Sequence, residues 1–191
     1  SAAMINPQAS FGSDVISRIA AADEDKVARD ALRTLILQAI TRLCVQLVNR
    51  QNGALEDDRG ISLEEIVHIT LAGNTTMMHL LTGLPAGNIA RAPFNPVTTR
   101  GRTIKGSELG LADMPDTLCT LLPSVASYVG ADITAGIVAL GLYEMRQDSA
   151  LLIDIGTNGE IALQNNDRLT ACATAAGPAF EGANITCGMS G

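Results

Sequence analysis

A hydrophobic run that ends on a carboxylate is the part of this sequence best suited to chemistry. Residues 151–155 are apolar except for Asp154, and a turn of small residues follows: Gly156, Thr157, Asn158 and Gly159. Glycine allows the backbone to approach an anion closely, and successive N–H groups can converge on it. A carboxylate at the exit of a strand can hold a divalent cation. The segment therefore predicts a site for nucleotide phosphates and their metal ion.

The same segment also has a purely structural interpretation, because Asn158-Gly159 is a common hairpin turn. A calcium loop is excluded by spacing: counting from Asp154, Asn165 occupies position twelve, where a bidentate glutamate belongs. A phosphate loop that ends in Gly-Lys-Ser or Gly-Lys-Thr is absent from the sequence.

Three other segments could add polar groups to such a site. Gly73 and Asn74 stand where a strand runs into a helix whose free N–H groups favour an anion, although taken alone the segment favours Asn74 as a plain cap of that helix. Asp132 opens an apolar helix, where it could orient water or a metal ion near a phosphate or simply complement the helix dipole. Gly177 lies in the Gly-rich segment 175–182, where the chain could pass close to a ligand or merely turn.

Composition disfavours several classes of function. The chain has 13 basic and 20 acidic residues, a net charge of −7 and no Trp, so nucleic acid and anionic membrane surfaces are poor partners. It has no uninterrupted apolar run of the ~18 residues that span a membrane. The four cysteines form no Cys-x-x-Cys pair, and no export signal precedes them, which favours a reduced cytoplasmic compartment and mostly buried free thiols.

The hydrophobic periodicity predicts a mixed α/β chain. We expect helices over residues 10–19, 26–48, 75–81 and 131–145, and strands over 66–71, 118–122, 150–155, 160–164 and 169–174. The last three strands are separated by short turns, which predicts an antiparallel meander. Residues 84–117 contain four prolines and predict a long ordered loop or a small insertion. His68 and His79 lie in apolar elements and are expected to be packed rather than to bind a ligand.

Six segments together resemble the signature motifs of a known family, in the same order along the chain. They are residues 6–19, 73–81, 92–96, 128–135, 151–160 and 175–183. The family is that of the reductive activators of corrinoid proteins, ATP-dependent ferredoxin-like proteins that return an inactivated cobalt(II) corrinoid to cobalt(I).

The resemblance implies a ribonuclease-H-like, two-lobed fold of the acetate/sugar kinase, heat-shock chaperone and actin type, incomplete in this chain. Residues 1–145 would be the later part of the first lobe with the connecting helix, and residues 146–191 the start of the second lobe. Asp132 and Asp154 would be catalytic and would bind the metal ion. The residues implied to contact the nucleotide are Gly73, Asn74, Asp154, Gly156, Thr157, Asn158, Gly159, Glu160 and Gly177.

By the same resemblance, ATP and Mg²⁺ are expected in the full-length protein, with an iron–sulfur cluster only in a part absent from this chain. The resemblance also implies a corrinoid protein as partner. Incomplete lobes would leave sheet edges and apolar faces uncovered, so we also expect pairing with a second copy of the chain. Because a first Asp-Ile-Gly-Thr-Thr-like motif and an adenosine-binding segment are also absent, we expect the chain alone to be inactive. Two alternatives stay open: a non-catalytic dimerisation or interaction module, and a small-molecule kinase of the same superfamily.

Overall fold

The computed structural model describes residues 1–53, 60–145, 148–156 and 158–175. They form two three-stranded sheets with helices, which confirms the predicted α/β class. The helices are α1 Val15–Glu24, α2 Lys26–Asn52, α3 Thr75–Thr82, α4 Gly106–Leu109 and α5 Ala131–Ala139. The strands are β1 His68–Leu71, β2 Arg102–Lys105, β3 Leu118–Leu121, β4 Ser149–Ile155, β5 Asn158–Asn165 and β6 Arg168–Ala175. Short 3₁₀ turns occupy Pro7–Phe11, Leu63–Glu65, Gly87–Ile89 and Leu142–Glu144.

The first sheet has the strand order β1-β3-β2. β1 and β3, the two strands predicted in this half of the chain, pair in parallel, while β2 is antiparallel to β3. β2 falls within residues 84–117, where no strand was predicted. It is an edge strand in which only Ile104 is partly buried, so its sequence lacks the apolar alternation that marks a strand with one covered face.

The second sheet is the predicted antiparallel meander, with the order β4-β5-β6. Asn158 and Gly159, predicted as turn residues, already belong to β5 and extend the hairpin. The register places Ile155 opposite Gly159 and Asp154 opposite Glu160. The carboxylates of Asp154 and Glu160 are therefore carried by neighbouring strands at the turn end of the β4–β5 hairpin.

Helix α5 packs on one face of the second sheet. Its buried Ile133 and Ile137 form a core with Ala162 of β5, against which Leu152 of β4 also packs. The prediction of a single helix over 131–145 is wrong at its end, because α5 stops at Ala139. Gly141 then adopts a left-handed conformation (φ 63°), a common way to end a helix, before the short 3₁₀ turn.

The single predicted helix over residues 10–19 is also wrong. The chain forms a 3₁₀ turn, is interrupted at Gly12 (φ 149°), and then starts α1, which continues to Glu24. The start is fixed by Asp14, whose Oδ1 accepts the Ser17 N–H at 2.8 Å, and this bond holds the pKa of the carboxyl below its usual value. This break also turns Ile16 outward, where 53% of it is exposed.

Removing this cap should weaken the fold measurably. We expect Asp14→Ala to lower the free energy of unfolding by about 1 kcal/mol, because the Ser17 N–H loses its acceptor. Urea denaturation checks this value. Asp14→Asn is the matched control, since Asn caps helices as well as Asp does and should leave the unfolding midpoint nearly unchanged. Equal losses in both variants would contradict the role of the cap.

Helix α2 supports the first sheet along one face only. Leu32 and Ala39 are buried, and Ile36 and Leu37 pack against the core that includes Cys119 of β3. The helix was predicted from a stripe of apolar residues that runs from Val27 to Val48, but the stripe is not buried over its whole length: Val27 is 74% exposed and Leu47 is 44% exposed.

By length and composition alone, α2 is the one helix of the described residues that could cross a membrane, with a mean hydropathy of 1.4 over its most apolar 18 residues. Core helices of proteins with no membrane contact pass the same test. That the chain has no membrane partner stays a prediction.

Candidate functional site

The N-termini of α3 and α5 are held together by backbone contact. The Ala131 N–H donates to the carbonyl of Gly73 at 2.9 Å. A Cβ added to Gly130 would lie 2.5 Å from Asn74 Cα and 2.9 Å from the Thr75 nitrogen. Such distances leave no room for a side chain, so only glycine allows the two helix starts to approach this closely. Two segments that the sequence analysis treated separately, at residues 73–76 and 130–136, therefore form one site.

Asn74 acts as the N-cap of α3. Its Oδ1 accepts the Met77 N–H at 2.9 Å, so the capping interpretation of the sequence is confirmed. The side-chain NH₂ of Asn74 has no partner among the described residues and remains a donor. The hydroxyl of Thr75 donates to the carbonyl of Ala126 at 2.6 Å and fixes this end of α3 against the loop before α5. The cap thus leaves one polar group of Asn74 for a ligand.

Three carboxylates lie near one another beside this contact. Burial raises the pKa of Glu160, and the negative charges of Asp132 and Asp154 raise it further. Asp132 comes from the first turn of α5, and the other two face each other across β4 and β5. A cation near these carboxylates would offset the free-energy cost of burying the charged form of Glu160. It would also reduce the repulsion among the three negative charges. Electrostatically, the site is therefore suited to a metal ion or to a group that brings one.

The carboxylates do not form a complete metal cage. Within the described ranges, no three His, Cys, Asp or Glu side chains are placed so that they could hold an ion together. In proteins, Mg²⁺ commonly keeps several waters and binds one or two carboxylates together with substrate phosphates, and it seldom has a cage made of protein ligands alone. The two carboxylates of Asp132 and Asp154 match this pattern. One oxygen of Asp132 accepts the N–H of Ile133 at 3.0 Å, which orients the carboxylate at the start of α5.

The glycine turn at residues 156–159 offers fewer free backbone N–H groups for an anion than its sequence indicated. The N–H of Gly156 donates to the carbonyl of Asn158 at 3.0 Å, so that donor is used within the hairpin. Gly159 is buried in the central strand β5. Thr157 and Gly177, both expected to contact a nucleotide, lie outside the described residues. The polar groups brought together are those of Asn74, Asp132, Asp154 and Glu160.

Glu160 should destabilise the metal-free protein at neutral pH. Its pKa in the fold is raised above the ordinary value of 4.5, so the folded state favours the protonated form. The contribution of Glu160 to the free energy of unfolding is therefore fully present below the ordinary pKa. It is lost as the pH rises through the raised pKa of the folded state. We expect Glu160→Gln to melt at a higher temperature than the wild type near pH 8 in a chelator, with the difference vanishing near about pH 4. Glu64→Gln, which removes an exposed carboxylate, is the control; equal shifts in both variants would contradict this account.

The two histidines differ from one another. His79 is packed as predicted: 2% of it is exposed, and its Nδ1 is 2.7 Å from the Thr75 carbonyl. His68 is exposed, with its Nε2 2.8 Å from the hydroxyl of Thr120, so the expectation that it is packed was wrong. His68 lies on the exposed face of β1, while the alternate residues Ile69 and Leu71 pack against the core.

The described cysteines are free. Cys119 is buried and Cys44 is half-buried, and burial raises the pKa of both thiols. Cys172 is exposed on β6, so the expectation that the thiols are buried is wrong for this residue. Neither the three described thiols nor the histidines join the carboxylate site.

Sequence reasoning missed the two features that assemble the site. Gly130 was not singled out, although a glycine immediately before a helix start is a signal of close backbone approach. The charge coupling of Glu160 was also missed, because it depends on α5 lying over the β4–β5 hairpin. The spacing from Asp154 to Glu160 across a predicted hairpin could have indicated that the two side chains face each other.

Comparison with protein families identifies the class of this fold and site. Residues 148–191 match the C-terminal domain of RACo, the ASKHA domain. Residues 1–145 match the RACo middle region. The chain therefore belongs to the RACo family, as the six sequence motifs predicted.

Individual relatives bear names that agree with this family. The corrinoid activation enzyme RamQ of Eubacterium limosum is 36% identical over 188 residues, which cover 98% of this chain and 30% of RamQ. A [Co(II) methylated amine-specific corrinoid protein] reductase of Methanosarcina barkeri is 25% identical over 169 residues, or 84% of this chain and 29% of that protein. The solved structure of a reductive activator for corrinoid, iron–sulfur protein superposes with a TM-score of 0.82 at 40% identity, covering 96% of this chain and 28% of that one. The chain thus spans about 30% of the length of these relatives.

Proposed function

We propose that the full-length protein is an ATP-dependent reductive activator that restores a cobalt(II) corrinoid protein to cobalt(I). The observation that carries the proposal is the match of 98% of this chain to a corrinoid activation enzyme, together with the 0.82 superposition on a reductive activator. The corrinoid protein is the partner, and the cytoplasm is the compartment. ATP and Mg²⁺ bind at the site described above, while the iron–sulfur cluster belongs to a region outside this chain.

The proposed architecture is a pair of ribonuclease-H-like lobes that close on the nucleotide. The first sheet belongs to one lobe, the meander begins the other, and α5 connects them. Two contacts support this arrangement. The Ala131 N–H ties the start of α5 to Gly73 at the end of the first sheet, and Ile133 and Ile137 bury the other face of α5 against the meander. A change in either lobe would be transmitted to the other through this short helix.

The residues divide the chemistry of ATP hydrolysis between them. Asp154 holds the metal ion, which neutralises phosphate charge when it is bound. Asp132, fixed at the start of α5, orients the attacking water and accepts its proton. The free side-chain NH₂ of Asn74 and the N–H groups at the start of α3 donate to phosphate oxygens. Hydrolysis changes the closure of the lobes, and that change drives an otherwise unfavourable electron transfer to cobalt.

The proposal is tested by following cobalt under anaerobic conditions. The full-length protein is mixed with its corrinoid protein in the cobalt(II) state and a reductant, and the cobalt(I) absorption is recorded with and without MgATP. We expect cobalt(I) to accumulate only with MgATP. Equal accumulation without nucleotide would overturn ATP dependence, and none in either case would overturn reductive activation.

A second candidate function, self-association, is supported by an uncovered sheet face. α5 covers one face of the meander, but on the other face Leu151, Ile153 and Ile155 are 55%, 52% and 71% exposed. Apolar surface arranged in a row on a strand commonly marks an interface. We therefore propose that this chain pairs with a second copy through this face.

We expect the 191-residue chain to sediment as a dimer or larger species, and Ile153→Lys to sediment as a monomer, because a charge in an apolar interface opposes pairing. Analytical ultracentrifugation measures both. Val67→Lys, at another exposed apolar position, is the control and should leave the assembly unchanged. A monomeric wild-type chain at high concentration would contradict the proposed pairing.

A further inference from the structure

A cavity separate from the carboxylate site lies beside the second half of α3. It has a volume of about 430 Å³, is open to solvent on one side, and is bordered by α3, residues 97–102 and the end of β3. Much of its wall is apolar, formed by Met78, Leu84, Val97, Leu121 and Leu122. Its size and its apolar lining with a few polar groups are typical of a small-molecule site. None of its lining residues belongs to the site at the N-termini of α3 and α5.

His79 lines this cavity and has an unmet hydrogen bond. Its Nδ1 lies 2.7 Å from the Thr75 carbonyl and must donate, since a carbonyl can only accept. In the neutral ring, Nε2 is then an acceptor. This atom is buried and has no partner within the described part of the chain. The atom is covered by its neighbours, so a donor in the cavity reaches it only when the wall shifts slightly. Because a buried polar atom without a partner costs stability, that contact would be favourable.

Two cations border the same cavity. Arg100 and Arg102 both line it and are exposed, and neither guanidinium forms an ion pair or hydrogen bond with the described residues. No aspartate or glutamate is among the described residues of the lining. A guanidinium binds carboxylate and phosphate groups through paired N–H donors. Here the charge favours an anionic group near the two arginines.

The two arginines belong to residues 97–102, a segment that lines the cavity and also a second, neighbouring concavity. The Arg100 N–H donates to the Thr98 hydroxyl at 3.1 Å, and the Ser124 N–H donates to the Thr99 carbonyl at 3.0 Å, which fixes the segment against the end of β3. A shallower concavity over residues 95–100 adjoins the cavity and shares Arg100 with it. The segment directly follows the motif at residues 92–96, for which the proposed nucleotide site has no use.

We propose that this cavity binds a small organic anion with an apolar body. Its carboxylate or phosphate group pairs with Arg100 and Arg102, and its body lies on the apolar wall. A hydroxyl or N–H at its far end donates to Nε2 of His79 after a small shift of the wall that covers this atom. The proposal is independent of the proposed corrinoid function, since it uses none of the residues assigned to ATP.

Three small probes separate the contributions of these groups. 4-Hydroxybenzoate has the anion, the apolar ring and the donor; benzoate lacks the donor, and phenol lacks the anion. Binding to the purified protein is followed by amide chemical-shift changes in two-dimensional NMR. We expect saturable shifts at residues 78–84 and 97–102, with 4-hydroxybenzoate at least about fivefold tighter than either other probe. Absence of saturable shifts with 4-hydroxybenzoate up to about 10 mM would overturn the proposal.

Two variants test the named side chains. The double variant Arg100→Gln/Arg102→Gln should weaken 4-hydroxybenzoate at least about tenfold while leaving phenol unchanged. Arg29→Gln/Arg42→Gln, which removes two charges from α2, is the matched control and should bind like the wild type. His79→Asn should remove the preference for 4-hydroxybenzoate over benzoate. If the control weakens binding as much as the cavity variant, or if His79→Asn keeps the preference, the assignment of these residues is wrong.

Discussion

Asp132→Asn and Asp154→Asn should each reduce Mg²⁺-dependent ATP hydrolysis by the full-length protein about ten- to ten-thousand-fold. Both changes remove negative charge from a site in which Glu160 already feels the carboxylates of Asp132 and Asp154. The amide is nearly the same size as the carboxylate but can neither accept a proton from water nor balance a divalent cation. Steady-state release of phosphate measures the effect.

Binding of ATP should change less than its hydrolysis in these variants. The free NH₂ group of Asn74 and the N–H groups at the start of α3 remain in place. Asp113→Asn is the matched control, because Asp113 is an exposed carboxylate outside the site, and it should hydrolyse ATP at the wild-type rate. If both site variants also hydrolyse ATP normally, the assignment of Asp132 and Asp154 is wrong.

Gly130→Ala should both destabilise the chain and separate the two halves of the site. The added Cβ would lie 2.5 Å from Asn74 Cα and 2.9 Å from the Thr75 nitrogen, and backbone atoms cannot move aside as a flexible side chain can. We expect a loss of about 1–3 kcal/mol or more in the free energy of unfolding. The Ala131–Gly73 hydrogen bond should be strained at the same time, so hydrolysis by the full-length protein should also fall. Urea unfolding followed by circular dichroism measures the stability.

Gly53→Ala provides the comparison for this variant. Gly53 has φ −70°, which alanine adopts without strain, and the nearest atom to an added Cβ is 3.4 Å away. Its unfolding midpoint should be unchanged or slightly higher, because alanine restricts the unfolded chain. A wild-type midpoint for Gly130→Ala would show that α3 and α5 are not held as closely as described.

Much of the fold could be predicted from the sequence because most of its elements are periodic. β1, β3 and the meander have buried alternation or short turns, and α3 has a clear cap in Asn74 and a clear stop in Gly83. β2 could not be predicted, because it is held at the edge of the sheet by backbone pairing with β3. Such pairing does not require an alternation of apolar residues in the sequence. The early end of α5 depends on one left-handed glycine, Gly141, within a sequence that otherwise continues the apolar pattern.

The candidate site was predicted as separate pieces rather than as an arrangement. Gly73, Asn74, Asp132 and Asp154 were each identified from residue type and local context. Their convergence depends on Gly130 approaching Asn74 and on α5 covering the β4–β5 hairpin, and both are contacts between segments far apart in sequence. The raised pKa of Glu160 follows from the same packing and is visible only once the three carboxylates are placed together.

The most direct test of the central claim measures ATP hydrolysis and cobalt reduction side by side in the full-length protein and its Asp154→Asn variant. The proposed mechanism predicts that both rates fall together, because in it the carboxylate serves the hydrolysis that drives electron transfer. Wild-type hydrolysis in the variant would contradict the site. Lost hydrolysis with undiminished formation of cobalt(I) would contradict the coupling of this site to corrinoid activation.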